Sequence, residues 1–114
     1  MDLRGHLDLL VLATLRRTGP VHGYGLIVAM RDGSGGVFDL PEGTVYPALH
    51  RLEQAGLLSS VWTTPSNGRR RRIYSLTKAG TSALGERRKA WGRFAQAVDT
   101  ALGRQSKGGR PWPA

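Results

Sequence analysis

The stretch that decides the fold lies near the middle of the chain, where residues 43–58 read GTVYPALHRLEQAGLL. Val45, Leu49 and Leu52 recur at spacings of four and three, which predicts a helix with one buried face. Gly56 is suited to the position just after the end of a helix, where a left-handed conformation is common. We therefore expect this helix to end at Gly56 and to be followed by a different structure.

The start of this helix is less regular, because Pro47 lies inside the periodic stretch. Proline removes a backbone N–H and is best tolerated in the first turn of a helix. We expect the helix to begin somewhere between Pro41 and Thr44, with its regular part near Thr44 or with a bend near Gly43.

Beyond the helix, the sequence changes to a pattern typical of strands. Residues 58–62 and 73–76 are rich in β-branched and aromatic side chains, and the turn residues 65–68 (PSNG) lie between them. This predicts a β-hairpin. Because Arg69 to Arg72 follow the turn, the tip of the hairpin should be basic.

Three further helices are predicted on either side of this central region. The first covers Leu3–Arg17, the second runs from about His22 to Arg31, and the last runs from a cap at Thr77 to about Leu102. Residues 37–40 are expected to add a brief extended piece before the central helix. Three helices, a hairpin and a final helix predict a mainly α fold with a β-hairpin wing (α+β), a winged helix-turn-helix with a long C-terminal dimerisation helix.

This order divides the 114-residue chain into three parts. Residues 1–76 are expected to form the winged helix-turn-helix, and residues 77–102 a dimerisation helix belonging to the same compact unit. Residues 103–114 are rich in Gly, Pro, Lys and Arg, and are expected to form a flexible basic tail. The tail either adds phosphate attraction or is simply solvated, and the second alternative is favoured.

Charge is unevenly distributed along the chain, although its formal total is +9. Up to Gly68 there are five basic and six acidic residues, whereas twelve basic and two acidic residues follow it. A localised basic surface favours a polyanionic partner such as nucleic acid.

Composition also excludes several kinds of protein. Cysteine is absent, which excludes a disulfide scaffold, a thiolate metal site and a cysteine nucleophile, and favours the reducing cytoplasm. The apolar stretch Leu9–Leu15 is far shorter than the roughly 20 residues of a membrane-spanning helix. His6, His22 and His50 are dispersed, and no catalytic triad is recognisable, so we expect no metal, no cofactor and no enzymatic activity.

Five segments resemble those of a known family: residues 7–12 (LDLLVL), 22–24 (HGY), 43–53 (GTVYPALHRLE), 56–58 (GLL) and 74–80 (YSLTKAG). In this order and spacing they are similar to the PadR family of bacterial transcriptional regulators, over roughly residues 3–102. The resemblance implies a homodimeric repressor that dimerises through its C-terminal helix and binds double-stranded DNA at an inverted-repeat operator. The single C-terminal helix looks like the compact branch of the family.

Candidate DNA-binding residues lie on the outward side of the central helix and on the hairpin. With Val45, Leu49 and Leu52 facing the core, the helical wheel turns the other side toward solvent. The DNA-binding candidates are Thr44, Tyr46, Pro47, His50, Arg51, Arg69, Arg70 and Arg71. Hydroxyl, imidazole and guanidinium groups can reach base edges or phosphates. The alternative interpretation is a solvated helix face and a solubilising charge run.

A heptad pattern in the last helix predicts a dimer seam. The dimerisation candidates are Leu84, Trp91 and Val98, seven residues apart, with Phe94 and Ala101 between them and Leu7 on the first helix. Trp91 has two interpretations. It is either an aromatic anchor of the dimer, which is favoured, or, by resemblance to drug-sensing relatives, a surface for a small planar aromatic ligand, lined also by Phe94 and Leu10.

Two other classes of function stay open on the sequence alone. A nonspecific RNA-binding or ribosome-associated protein would also use the basic C-terminal part. A protein-interaction module could keep the winged fold without DNA binding, because fold alone does not establish function. The basic wing argues against the second of these.

Overall fold

A computed structural model describes residues 3–65 and 67–104, with side chains from Gly5 onward. Within these ranges, the elements in chain order are α1 (Leu3–Thr18), β1 (Val21–His22), α2 (Gly23–Gly33), α3 (Glu42–Gln54), β2 (Leu58–Thr63), β3 (Arg71–Leu76) and α4 (Lys78–Ala101). The predicted winged helix-turn-helix is confirmed, with each predicted helix and both hairpin strands present. The predicted tail lies largely outside the described residues, which end at Arg104.

The sheet has three antiparallel strands in the order β1-β3-β2. β2 and β3 form the predicted hairpin, in which Ser60 lies opposite Tyr74 and Trp62 lies opposite Arg72. The sequence analysis missed β1, in which Val21 pairs with Tyr74. Two residues are too few for a period of two to be recognised.

Residues 37–40, where a brief extended piece is expected, form no strand. The chain turns instead at Gly35 and Gly36, whose φ angles of 64° and 87° suit glycine. The Ser34 hydroxyl accepts a hydrogen bond from the Phe38 N–H at 2.8 Å. This hydrogen bond to the Ser34 side chain, and not pairing with a strand, fixes the backbone at the start of the loop.

The core is built where the first three helices meet the sheet. Val11 and Leu12 from α1, Leu26 from α2, Leu49 from α3 and Tyr74 from β3 are each 2% exposed or less. Leu49, together with Val45 and Leu52, belongs to the set whose spacing predicted α3, and all three are buried. Their burial leaves the opposite side of α3 free of the core.

The helix α3 begins at Glu42, within the expected range. The Pro41 carbonyl accepts hydrogen bonds from the N–H groups of Thr44 and Val45, at 3.0 and 3.2 Å. Pro47 lies inside the helix and removes the N–H that would bond to the Gly43 carbonyl. Because Gly43 is exposed, water can satisfy that carbonyl, and the helix continues without the break that proline causes in a buried position.

Gly56 and Thr77 fix the end of α3 against the start of α4. Gly56 has a φ of 80°, and the Leu57 N–H donates to the Leu52 carbonyl at 3.0 Å, as in a Schellman motif. The Thr77 hydroxyl donates to the Gly56 carbonyl at 2.7 Å and accepts from the Gly80 N–H at 3.0 Å. The predicted helix cap at Thr77 is therefore confirmed, and it also ties the two helices together.

Contacts divide the chain into two units, with the boundary between Leu84 and Gly85. The first unit contains the sheet and the first three helices, and the second contains most of α4. No helix in the described ranges is long and apolar enough to cross a membrane.

Candidate nucleic-acid interface

One side of α3 presents a row of exposed residues. Thr44, Pro47 and His50 are all exposed, as predicted, and Gly43 and Gln54 extend the same side. Val45, Ala48, Leu49 and Leu52 on the other side are buried. The exposed row carries hydroxyl, imidazole and amide groups, which can all bond to the edges of bases in a major groove.

Tyr46 differs from the exposed candidates on α3 because its side chain is partly buried and packs against the core. A Cβ added to Gly23 in α2 would lie 2.5 Å from the Tyr46 ring, so glycine makes room for the aromatic side chain. Burial raises the pKa of the Tyr46 phenol, and the nearby Glu42 carboxylate raises it further. The ring holds α3 against α2, and a phosphate contact by its hydroxyl stays a prediction.

Arg51 is also engaged within the protein. Its guanidinium donates a hydrogen bond to the carboxylate of Asp8 in α1. The Asp8 side chain is 9% exposed and that of Arg51 33%. The pair fixes α3 on α1, so the structure gives Arg51 a structural contact that the sequence analysis did not foresee.

The hairpin carries three exposed cations near its tip: Arg69 and Arg70 lie in the loop between β2 and β3, and Arg71 is the first residue of β3. None of them is in an ion pair with a carboxylate of the described residues. The Asn67 side-chain oxygen accepts a hydrogen bond from the Arg69 N–H at 3.0 Å, which shapes the turn. Three uncompensated guanidinium groups in sequence form a surface suited to phosphate.

The fourth arginine of the run behaves differently. Arg72 donates to Glu53 of α3 at 2.9 Å and to the Ser60 hydroxyl of β2 at 2.8 Å, and that hydroxyl donates to Glu53 at 2.6 Å. This closed triangle, which we call the Glu53 triangle, connects the end of α3 to the base of the hairpin. Sequence reasoning missed it, because Glu53 and Arg72 are 19 positions apart.

Trp62 on β2 is 54% exposed, although tryptophan is mostly buried in folded proteins. The guanidinium of Arg70 lies over its ring, with the central carbon 4.5 Å from the ring centroid. The guanidinium carbon of Arg72 lies 5.6 Å from the same centroid. Both distances are typical of cation–π contacts.

The predicted seam on α4 is partly corrected by the structure. Leu84 is 3% exposed and belongs to the core of its own chain, so it has almost no free surface for a partner. Further along α4, Phe94 and Val98 are exposed, and Leu102 follows the end of the helix on the same side. The rings of Trp91 and Phe94 lie 5.8 Å apart and are tilted by 40°.

The candidates on α1 are both partly covered. Leu7 and Leu10 are half-buried and pack against the core of the first unit. Their predicted roles at a dimer interface and at a ligand site stay predictions.

Among the described residues, no group of three or more His, Cys, Asp or Glu side chains could hold a metal ion.

Comparison with known proteins gives a consistent result. The sequence model of the Transcriptional regulator PadR-like family matches residues 11–86. Transcriptional regulator Rv3488 of Mycobacterium tuberculosis is 50% identical over 64 residues, which are 56% of this chain and 56% of that protein.

Solved structures give the same result for the fold. The structure of a PadR family transcriptional regulator from Eggerthella lenta is similar with a TM-score of 0.76 at 33% identity, over 87% of this chain and 83% of the other. A transcriptional regulator from Clostridium thermocellum is similar with a TM-score of 0.77 at 24% identity, over 86% and 94% of the two chains, and shows the fold alone.

Proposed function

The chain belongs to the transcriptional regulator PadR-like family, and we propose that it is a cytoplasmic homodimer that represses transcription from an inverted-repeat operator. Members of the family are DNA-binding transcriptional regulators, so the prediction that the chain is not an enzyme is confirmed. The finer parts of the proposal are the dimer, the symmetric DNA site and the repression.

The observation that carries the proposal is the combination of the exposed row on α3, which holds no Asp, Glu, Lys or Arg, with uncompensated cations on the wing. Thr44 and His50 offer groups that bond to base edges, and Pro47 offers an apolar surface for a thymine methyl group. Arg69 to Arg71 offer charge for the phosphates. A protein that only attracted polyanions would not need both kinds of surface.

The dimer is supported by the exposed apolar side of α4. Phe94, Val98 and Leu102 are spaced by four residues and are 37% to 62% exposed. A helix with such a side gains free energy when a second copy covers it. A two-fold dimer then presents two α3 helices, which matches a palindromic site with half-sites about one helical turn apart.

The Trp91–Phe94 pair supports a second part of the proposal, which is release from DNA by a small planar aromatic ligand. A tilted pair of rings offers faces and edges on which a flat molecule can stack. The competing interpretation is that these rings only anchor the dimer. Planar aromatic compounds that quench tryptophan fluorescence and weaken DNA binding would support the ligand, and an unchanged response across a broad panel would leave an anchor.

The dimer is tested by sedimentation of two matched variants. Val98→Glu places a charge on the apolar side of α4, and Gln96→Glu places the same charge on the opposite side, at an exposed position. We expect the wild-type chain and Gln96→Glu to sediment as dimers, and Val98→Glu as a monomer of 12.4 kDa. A dimer in all three would mean that this side of α4 is not the interface.

The operator is tested by selection from a library of random DNA duplexes. Recovery of an inverted repeat would support a two-fold dimer that binds a palindromic operator. Recovery of no common sequence, together with equal binding of RNA, would favour the RNA-binding alternative.

A further inference from the structure

The exposed Trp62 is not explained by the fold or by the residues proposed to read bases. Its strand partner is Arg72, and both lie on the side of the hairpin that carries the buried Tyr74. Toward the tip, this side ends with the guanidinium of Arg70 on the Trp62 ring. Trp62 therefore contacts both an arginine that is fixed to α3 and an arginine that is exposed.

A continuous series of contacts connects α3 to the wing. The Glu53 triangle fixes Arg72, the Arg72 guanidinium lies 5.6 Å from the Trp62 ring centroid, and Trp62 holds Arg70. Glu53 neutralises Arg72, whereas Arg70 has no carboxylate partner among the described residues. The cation at the outer end of the series is the one that is available to a ligand.

A guanidinium that lies over an aromatic ring is still able to bind phosphate. A guanidinium contacts an aromatic ring with its flat face, while its N–H donors point outward in the plane. The face and the donors can therefore be used at the same time. A long side chain that is already held in one arrangement also loses less conformational entropy when it binds.

We propose that Trp62 is a positioning residue of the wing, which holds Arg70 in the arrangement in which its N–H groups meet a nucleic-acid phosphate. The proposal rests on the DNA binding of the family, and it does not require a symmetric operator. Trp62 acts through Arg70, and it is not itself a contact to the bases.

A double-mutant cycle tests the proposal, with affinity for a mixed-sequence DNA duplex measured over a range of salt concentrations. Phosphate contacts are independent of sequence, so the operator need not be known. We expect Trp62→Ala to weaken binding about two- to fivefold, the range that an exposed cation–π contact supports, and to leave the salt dependence unchanged. Arg70→Ala should lower the slope of log affinity against log salt by about 0.9.

The decisive result is the double variant. If Trp62 acts through Arg70, Trp62→Ala has no further effect when Arg70 is already alanine. Equal effects of Trp62→Ala in both backgrounds would overturn the proposal, as would unchanged affinity of Trp62→Ala or of Arg70→Ala. If the wild-type chain bound no DNA at all, the proposed function as a DNA-binding regulator would be overturned, and this proposal with it.

Two controls separate positioning from folding. Val61→Ala truncates a neighbour that is also exposed, on the other side of β2, and should leave affinity unchanged. Trp62→Phe keeps an aromatic face and should retain most of the affinity, whereas Trp62→Leu keeps only bulk and should behave as Trp62→Ala. Equal affinities of the Phe and Leu variants would show that the ring face is not needed, and would overturn the proposal.

Discussion

The guanidinium of Arg51 in α3 is hydrogen-bonded to the carboxylate of Asp8 in α1. This contact joins the helix that presents the exposed row to the helix at the centre of the core. Because the Asp8 side chain is 9% exposed, partners within the protein largely take the place of water around its carboxylate. Arg51 therefore helps to hold α3 against α1, and its guanidinium is not a free group on the helix surface.

Replacing Arg51 with alanine is expected to destabilise the protein by about 1 to 3 kcal/mol, because a hydrogen bond to a mostly buried charge is lost. Urea denaturation measures the loss, and Arg16→Ala, at an exposed position, should change stability by less than about 0.5 kcal/mol. The salt dependence of DNA binding by folded Arg51→Ala should equal that of the wild type. Unchanged stability with a lower salt dependence would instead make Arg51 a phosphate contact.

His50 is expected to affect specificity. In His50→Ala, the preference for a selected DNA site over mixed-sequence DNA should fall by about 1 kcal/mol or more, because a group facing the base edges is lost. Competition binding measures the preference, and Ser59→Ala, also exposed, should not alter it. An unchanged preference in His50→Ala would show that His50 does not read bases and only forms part of a solvated helix face.

The wing arginines are expected to supply nonspecific attraction. Arg69→Ala combined with Arg70→Ala should lower the slope of log affinity against log salt by about 1.8, if each neutralises one phosphate. Arg88→Ala combined with Arg93→Ala removes the same charge from exposed positions on α4 and should change the slope less. Equal changes in the two double variants would show that net charge, and not the wing, determines the attraction.

Gly80 and Gly85 on α4 are expected to respond in opposite directions to alanine. A Cβ at Gly80 would collide with the backbone carbonyl of Leu57, whereas a Cβ at Gly85 meets nothing within 4 Å. Gly85→Ala should therefore stabilise the protein by about 0.5 to 1 kcal/mol through helix propensity. Gly80→Ala should lower the midpoint of thermal unfolding, and a raised midpoint would contradict the close approach of Gly80 to Leu57.

Stability at high pH is expected to depend on Tyr74. Burial raises the pKa of the Tyr74 phenol; Arg72 opposes this, while Glu53 and Tyr46 add to it. The folded state thus keeps a proton that the unfolded state loses at about pH 10, so stability is full below about pH 10 and falls as the pH rises toward the folded pKa. Unfolding measured against pH should show a shallower fall in Tyr74→Phe, and identical slopes would contradict the shift.

The elements were predictable where one physical requirement repeats along the sequence. Val45, Leu49 and Leu52 must face one core, and this repeated spacing identified α3 and its exposed side. The hairpin was identified by a different signal, which is the run of turn residues, glycine and asparagine among them, between two strand-like segments. β1 was missed because two residues show no repeat, and its pairing with Tyr74 exists only in the folded chain.

The site was predictable in its location but not in the partners of each residue. A helical wheel separates inward from outward positions, yet it does not show that Tyr46 packs on Gly23 or that Arg51 meets Asp8. The heptad spacing likewise does not show that Leu84 is already covered by its own chain. These outcomes depend on contacts between residues far apart in sequence.

The most direct test of the central claim is protection of the DNA upstream of the chain's own gene from nuclease cleavage. The purified protein is added with excess heterologous DNA and RNA and at rising salt concentrations. The account predicts a protected inverted repeat that persists under competition, because both the α3 row and the wing contribute. Protection that disappears with competitor and shows no sequence preference would contradict it.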